Sequence, residues 1–204
     1  MARPANPNRR EDILAAAREE FLLNGFSGAR MEDIGRRAGI SKAAVYLQFP
    51  SKEEVFRALV LSLIEDALPR VAPAELGDRP APDLLRVFIT VAFEILSSRD
   101  VAFVPRLIIG EGQKFPELAR FYHDHAITRL LEQLARILRH GVVRGEFACE
   151  VNDHTCRTIA GGIIIAALWR IVLEPVGAQP IDMAEAARVH TDTLFSGLLT
   201  RKDS

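Results

Sequence analysis

Apolar side chains recur along this chain at intervals of three and four residues, which is the spacing of one face of an α-helix. The pattern is most nearly continuous after Phe115-Pro116, where the apolar positions are Leu118, Phe121, Tyr122, Ile127, Leu130, Leu131, Leu134 and Leu138. Alternation of apolar and polar residues, the pattern of a half-buried strand, is not sustained anywhere. The sequence therefore predicts an all-α protein of about nine helices.

Capping and helix-breaking residues divide this pattern into elements. Helices are predicted from Asn8 to a left-handed stop at Asn24-Gly25, over 31–38, from the cap Ser41 to about 49, and onward from a capping box at Ser51. Four prolines and a glycine make 69–82 a loop. The later helices are predicted over 83–98, 100–110 and 116–141, and from Asn152 or Asp153 and Asp182.

The segment Met31–Phe49 has the features of a helix-turn-helix. Gly35 is small enough for a second helix to cross it closely, and Gly39 suits a turn that needs a positive φ. Apolar residues sit where they would seal the pair to the rest of the domain: Ile34, Ala38, Ile40 and Val45. The second helix would then present outward Lys42, Ala43, Tyr46 and Leu47, which are small or polar enough to enter a major groove. The alternative is an ordinary helical hairpin with a glycine turn.

The surrounding blocks favour DNA binding. From Arg10 to Leu59 the chain resembles the DNA-binding domain of TetR/AcrR-family transcriptional regulators through ILAAAREEF, NGF, MEDIGRRAGIS and VYLQFPSKEEVF. This resemblance implies three N-terminal helices for DNA and a larger helical domain for ligand binding and dimerisation. We place the division at 1–52 and 53–204.

The same resemblance implies which side chains contact DNA. Tyr46 would bond the DNA backbone, and Lys52 would pair with a phosphate, helped by the N-terminus of its helix. The full set of candidates is Arg30, Ser41, Lys42, Ala43, Tyr46, Leu47, Gln48 and Lys52. Two departures stand out: Ala44 replaces a frequent threonine, and Leu47 replaces a frequent ring. The operator sequence does not follow from these residues.

The C-terminal part suggests a site for a small apolar or amphipathic effector. Aromatic residues are concentrated there, and each could line a cavity or simply fill the core. Arginine and histidine in apolar surroundings are further candidates, because a buried polar group needs a partner. Arg170 is considered with them, and an internal salt bridge or a surface position is the alternative for both arginines. The candidate ligand-binding residues are Phe88, Phe103, Arg106, Phe121, Tyr122, His125 and Trp169.

Two helices near the C-terminus favour a homodimer. Ile159–Trp169 is an apolar run of eleven residues, too short for the roughly 20 that span a bilayer, so we expect a buried helix and no membrane partner. Its Gly161-Gly162 and Ala166-Ala167 pairs would allow close packing in an oligomer. By resemblance, this helix and the last one would form a four-helix bundle with a second copy, and the dimer would read a palindromic operator.

Composition narrows the function classes further. The net charge is −1, apolar residues make up 49%, and no secretory apolar segment follows the basic N-terminus, so we expect a cytoplasmic globular protein. We find no nucleophile–base pair, phosphate loop or paired carboxylates, and predict no enzyme, cofactor or metal site. Cys149 and Cys156 leave a redox sensor as a minor alternative. The prediction is a repressor released from DNA by its ligand, the alternative an activator or a ligand-independent regulator.

Overall fold

A computed structural model describes residues 9–71 and 76–198, which fold into α-helices joined by turns and short connections. The helices are α1 (Arg9–Gly28), α2 (Met31–Arg37), α3 (Lys42–Gln48), α4 (Lys52–Val71), α5 (Ala81–Ser97), α6 (Arg99–Glu111), α7 (Pro116–Tyr122), α8 (Thr128–Val143), α9 (Asp153–Leu168) and α10 (Met183–Leu198). A π-helical turn, His123–Ile127, joins α7 to α8, so these two form one continuous helix. Counted this way, the described part of the chain has nine helices, which confirms the all-α prediction.

Most helix ends lie where the local signals predict them. Ser41 caps α3 by accepting a hydrogen bond from the Ala44 amide, and Asn152 caps α9 through the Thr155 amide. Gly25 has a positive φ of 66°, yet the helical segment resumes beyond it to Gly28. The predicted start at Asn8 lies outside the described residues.

Two boundaries differ from the prediction. Helix α4 continues to Val71 and so takes up the beginning of the predicted loop, of which 72–75 lie outside the described residues. Helix α5 begins at Ala81 rather than Asp83, because the Ala81 amide donates to Glu146 Oε2 at 2.6 Å. That distant carboxylate takes the place of a local cap, which the sequence around residue 83 does not reveal.

The described residues form two compact units. The first contains 9–63 and 103–123, and the second contains 64–71, 76–102 and 124–198. The predicted division after residue 52 differs from this, since the first half of α4 and most of α6 belong to the first unit. Val55 and Phe56, in that half of α4, are fully buried.

An aromatic cluster forms the centre of the first unit. Phe26 lies with its ring centroid 5.7 Å from Phe21, 5.9 Å from Phe56 and 4.7 Å from Phe115. The last two contacts are edge-to-face, an arrangement that adds to the energy of burial. The cluster thus joins α1 and α4 to the segment that precedes α7.

Helix α5 lies at the centre of the second unit, where it packs against α8, α9 and α10. Its buried side chains include Leu85, Phe88 and Ile89, and they meet Leu134, Ile137 and Leu138 of α8 in one apolar core. Gly141 allows α8 to approach the Phe147 ring and Ala81, because a Cβ at Gly141 would overlap the ring and lie 2.8 Å from the Ala81 Cβ.

Helix α9 is buried on one face only, which corrects the expectation of a buried helix. Ile159 and Ile163 are each 2% exposed, whereas Ile165 is 64% and Trp169 38% exposed. Together with the turns that follow it, the stretch Asp153–Val176 is long and apolar enough to cross a membrane by length and composition alone, and 22% of its most apolar window is buried. An apolar face of a helix that stays this exposed is typical of an interaction surface.

Gly141→Ala tests the close packing of the second unit. We expect it to lower the free energy of unfolding by about 1–3 kcal/mol, since the new methyl group must displace the Phe147 ring. Thermal and denaturant unfolding would measure the loss. Gly110→Ala in α6 is the control, because its Cβ would meet open space, and it should leave stability unchanged or slightly raised. Equal stability of the two variants would contradict the packing described.

Candidate nucleic-acid interface

Helices α2 and α3 cross closely, as the sequence predicts for a helix-turn-helix. A Cβ at Gly35 would lie 3.0 Å from Val45 Cγ2 and 3.1 Å from the Ile40 carbonyl oxygen, tighter than side chains normally pack. Gly39 in the turn has φ 69°, a region that favours glycine. Ile34 and Val45 are fully buried and hold the pair against the rest of the unit. The two predicted glycine roles are therefore confirmed.

The predicted DNA-facing side of α3 is exposed. The side chains of Lys42, Ala43 and Gln48 are exposed. Tyr46 is 44% exposed, and Leu47 is 83% exposed. An apolar side chain such as Leu47 can make contact with the methyl group of thymine in the major groove. Arg30, the residue before α2, is exposed as well.

The structure brings four of the predicted residues together around one cleft. Arg30, Lys42, Tyr46 and Lys52 line a cavity of about 430 Å³ between the start of α2, the outer side of α3 and the start of α4. Glu32 and Glu53 also line it. Three cationic side chains and a phenol suit contact with phosphate oxygens, while the two carboxylates limit how closely the backbone of a nucleic acid can approach.

Lys52 has partners within the protein that the sequence does not predict. Its Nζ donates to the carbonyl oxygens of Phe26 at 2.5 Å and Ala29 at 2.9 Å, and it lies 4.4 Å from the centre of the Phe26 ring. Burial lowers the pKa of Lys52, and the nearby Glu53 and Glu111 carboxylates oppose that shift. Two of its three N–H groups thus stabilise the connection between α1 and α2, and one remains for a phosphate.

Two carboxylates that support this region were missed by sequence reasoning. Glu20, 3% exposed, accepts from Arg37 Nη2 of α2 at 3.2 Å and from Asn24 Nδ2 at 2.6 Å. The sequence contained a signal for Glu20, because this residue follows the buried Ile13 by seven positions and so places a carboxylate on the apolar face of α1. Glu111 accepts from the amides of Phe26 and Ser27, and nothing in its local sequence indicates that role.

The candidate ligand-binding residues are divided between the units. Phe103, Arg106, Phe121 and Tyr122 belong to the first, and Phe88, His125 and Trp169 to the second. Phe88 and Phe103 are buried, and burial raises the pKa of Tyr122 to about 12. Phe121 lies under the Arg57 guanidinium, 5.6 Å from ring centre to carbon. Which of these residues line an effector site therefore stays a prediction.

For the two arginines considered for the effector, the structure favours the alternative of a surface position. Arg106 and Arg170 are exposed, so neither is a polar group embedded in an apolar interior. Trp169 is partly exposed and its Nε1 donates to the Gln179 carbonyl oxygen at 2.8 Å.

The described residues also bear on metal and redox chemistry. Within 9–71 and 76–198, no group of three or more His, Cys, Asp or Glu side chains could hold a metal ion. Cys149 and Cys156 are free thiols, and burial raises the pKa of both. A raised pKa disfavours the reactive thiolate that a redox sensor needs.

An exposed helix-turn-helix with cationic side chains beside it is typical of DNA-binding regulators, and comparison with known proteins identifies the family. The model of bacterial regulatory proteins of the tetR family matches residues 13–59, and that of the AefR-like transcriptional repressor C-terminal domain matches 83–193. The HTH-type transcriptional regulator UidR of Escherichia coli K12 is 30% identical over 200 residues, 98% of this chain and 97% of UidR. The chain belongs to the TetR family of transcriptional regulators.

Two further comparisons agree. The HTH-type transcriptional regulator SrpR of Pseudomonas putida is 29% identical over 166 residues, 78% of this chain and 73% of SrpR. The structure of the fatty acid degradation regulator FadR from Bacillus halodurans, 19% identical, superposes with a TM-score of 0.76 over 94% of this chain and 96% of that one, which shows a shared fold. These relatives are transcription regulators rather than enzymes, and the protein is a DNA-binding transcriptional regulator.

Glu20→Gln tests the buried carboxylate behind the helix-turn-helix. We expect it to lower the free energy of unfolding by about 1–3 kcal/mol, because a hydrogen bond to a charged group is lost in a buried position. Glu54→Gln is the matched control: it weakens the 2.8 Å pair with Arg57, in which the Glu54 side chain is 46% and the Arg57 side chain 37% exposed. Exposed pairs contribute at most about 1 kcal/mol. Chemical denaturation measures both, and equal losses would contradict the special role of Glu20.

Proposed function

We propose that this protein is a cytoplasmic homodimeric repressor that leaves a palindromic operator when a small apolar or amphipathic effector binds. Its DNA contacts would come from Arg30, Ser41, Lys42, Ala43, Tyr46, Leu47, Gln48 and Lys52. The observation that carries the proposal is the cleft that Arg30, Lys42, Tyr46 and Lys52 share beside the exposed face of α3. Four residues from three separate elements converge there, as expected for a surface that follows a phosphate backbone.

The proposed dimer is supported by the exposed apolar face of α9 and the turn after it. Ile164, Ile165, Val172 and Leu173 are between 39% and 64% exposed. Contiguous apolar patches on the surface of a soluble protein generally mark an interaction site. Gly161, whose Cβ would meet nothing within 4 Å, leaves room for close approach of a second copy.

The operator would be sought by fluorescence anisotropy on DNA fragments from around the protein's own gene, titrated with salt. A repressor should bind one fragment tightly, with a steep salt dependence and competition by that sequence alone. A panel of amphipathic small molecules would then be screened for release. Absence of binding to any DNA at low salt would overturn the proposal, whereas specific binding that raises transcription in a reporter would identify an activator.

Lys42→Gln tests the proposed phosphate or base contact. We expect operator affinity to fall about three- to tenfold and the salt slope to decrease by about one, because one cationic contact is lost. Arg120→Gln, which removes a positive charge from an exposed position in α7, is the control. Equal affinity and salt slope for Lys42→Gln, the control and the unmodified protein would exclude Lys42 from the interface.

Ile165→Asp tests the proposed dimer surface. A carboxylate within an apolar interface should convert the dimer to a monomer, measured by light scattering, and reduce operator affinity because two half-sites are no longer read together. Val143→Asp replaces another apolar residue, 88% exposed at the end of α8, and should leave the dimer intact. A monomeric unmodified protein would refute the dimer, and dissociation by Val143→Asp alone would assign the interface to the end of α8.

A further inference from the structure

The last turn of α1 and the residues that lead to α2, 26–30, which we call together the α1–α2 connection, are held by several hydrogen bonds. Glu111, the last residue of α6, accepts from the Phe26 amide at 2.7 Å and from the Ser27 amide at 2.8 Å, and also from the Ser27 hydroxyl. These partners are 84 and 85 residues away in sequence. The carboxylate therefore satisfies two backbone donors that the break in α1 leaves without partners in the helix.

Gly25 makes this contact possible. Its φ of 66° and ψ of −176° turn the chain out of the helix just before Phe26, so that the next two amides point to Glu111. A Cβ at Gly25 would overlap the Glu111 carboxylate oxygen. Glycine is thus required both by the backbone conformation and by the close approach of the carboxylate.

Lys52 holds the opposite side of the same connection. Its Nζ binds the carbonyl oxygens of Phe26 and Ala29, while Glu111 binds the amides of Phe26 and Ser27. Partial burial works to raise the pKa of Glu111, but the hydrogen bonds from Ser27 and Phe26 outweigh it and lower the pKa below its ordinary value. An ionised carboxylate and an ammonium group therefore fix both sides of one peptide segment, which we call the Glu111–Lys52 clamp.

The clamp ends where the proposed DNA contacts begin. Ala29, bound by Lys52, is followed directly by the cleft residue Arg30 and by the first turn of α2. Glu111 does not line the cleft. A shift of the connection would move Arg30 and the start of α2 relative to Tyr46 and Lys42.

We propose that Glu111 is a positioning residue for operator binding, which acts by holding the Phe26–Ser27 backbone and, through it, Arg30 and α2. This inference rests on the proposed function for its readout, since it concerns affinity for the operator. It assigns to a residue of the segment 103–123, outside the helix-turn-helix, an indirect part in the geometry of DNA recognition.

Glu111→Gln is the principal test, on the full-length protein. A glutamine has one acceptor oxygen, so one of the two backbone amides loses its partner. We expect operator affinity to fall about tenfold, equivalent to about 1.4 kcal/mol, while affinity for unrelated DNA stays the same. Amide exchange should accelerate selectively at Phe26 and Ser27. Glu117→Gln removes the same charge from an exposed position in α7 and should change neither quantity.

A double-mutant cycle separates positioning from a direct DNA contact by Ser27. Ser27→Ala should reduce operator affinity about two- to threefold in the unmodified protein and have no effect in the Glu111→Ala background, because its hydroxyl acts through Glu111. An equal loss in both backgrounds would mean that Ser27 touches DNA itself and would overturn this route of action.

The outcomes distinguish this inference from the proposed function. If the unmodified protein finds no operator, the proposed function fails. If it binds an operator and Glu111→Gln binds equally well, the positioning role is refuted, whether or not exchange at Phe26 and Ser27 changes. If Glu111→Gln weakens operator and unrelated DNA by the same factor, Glu111 contributes general stability or charge, and the positioning role is again refuted.

Discussion

A seven-residue α-helix is unstable by itself in water, because nucleation costs more than so few hydrogen bonds return. Helices α2 and α3 are both of this length, so the candidate DNA surface depends on tertiary packing. The packing rests on Ile34 and Val45, which are fully buried, and on Gly35, which allows the helices to cross. With one side of α3 committed to the interior, the other side is free to carry Lys42, Tyr46 and Leu47 outward.

The same dependence explains the polar contacts behind the pair. Where α1 breaks at Gly25, the Phe26 and Ser27 amides turn out of the preceding helix, while the Phe26 ring joins the buried aromatic cluster. Glu111 accepts from these two amides, and Lys52 donates to the carbonyl oxygens of Phe26 and Ala29. Glu20 ties α2 to α1 through Arg37. Charged groups serve here because hydrogen bonds to ions are stronger than those between neutral groups. Three side chains outside α2 and α3 therefore support the surface that those helices present.

In the second unit, one helix serves two purposes. The inner face of α9 completes the core around α5, and Gly162 brings it against the His190 ring of α10, where a Cβ would lie 2.5 Å from a ring carbon. The outer face leaves Ile165 and Trp169 exposed. Neighbouring glycines thus have different environments: Gly162 is required by packing within the chain, while Gly161 meets open space. The outer face of α9 at Gly161 is therefore open, and the proposed dimer would use this face.

Local signals in the sequence determined much of this protein. Helical periodicity is a property of short segments, and so are the turn glycine Gly39, the small residue Gly35 and the caps Ser41 and Asn152. The nine helices of the described chain and the outward residues of α3 could therefore be predicted. Contacts between distant segments could not. Only the tertiary structure decided that Glu146 accepts from the first amide of α5 and that Arg106 is exposed. It also decided that Lys52 binds carbonyl groups and that Glu111 accepts from Ser27, 84 residues away in sequence. Periodicity shows which face of a helix is apolar, whereas the partner of a polar side chain is set by how the helices pack together.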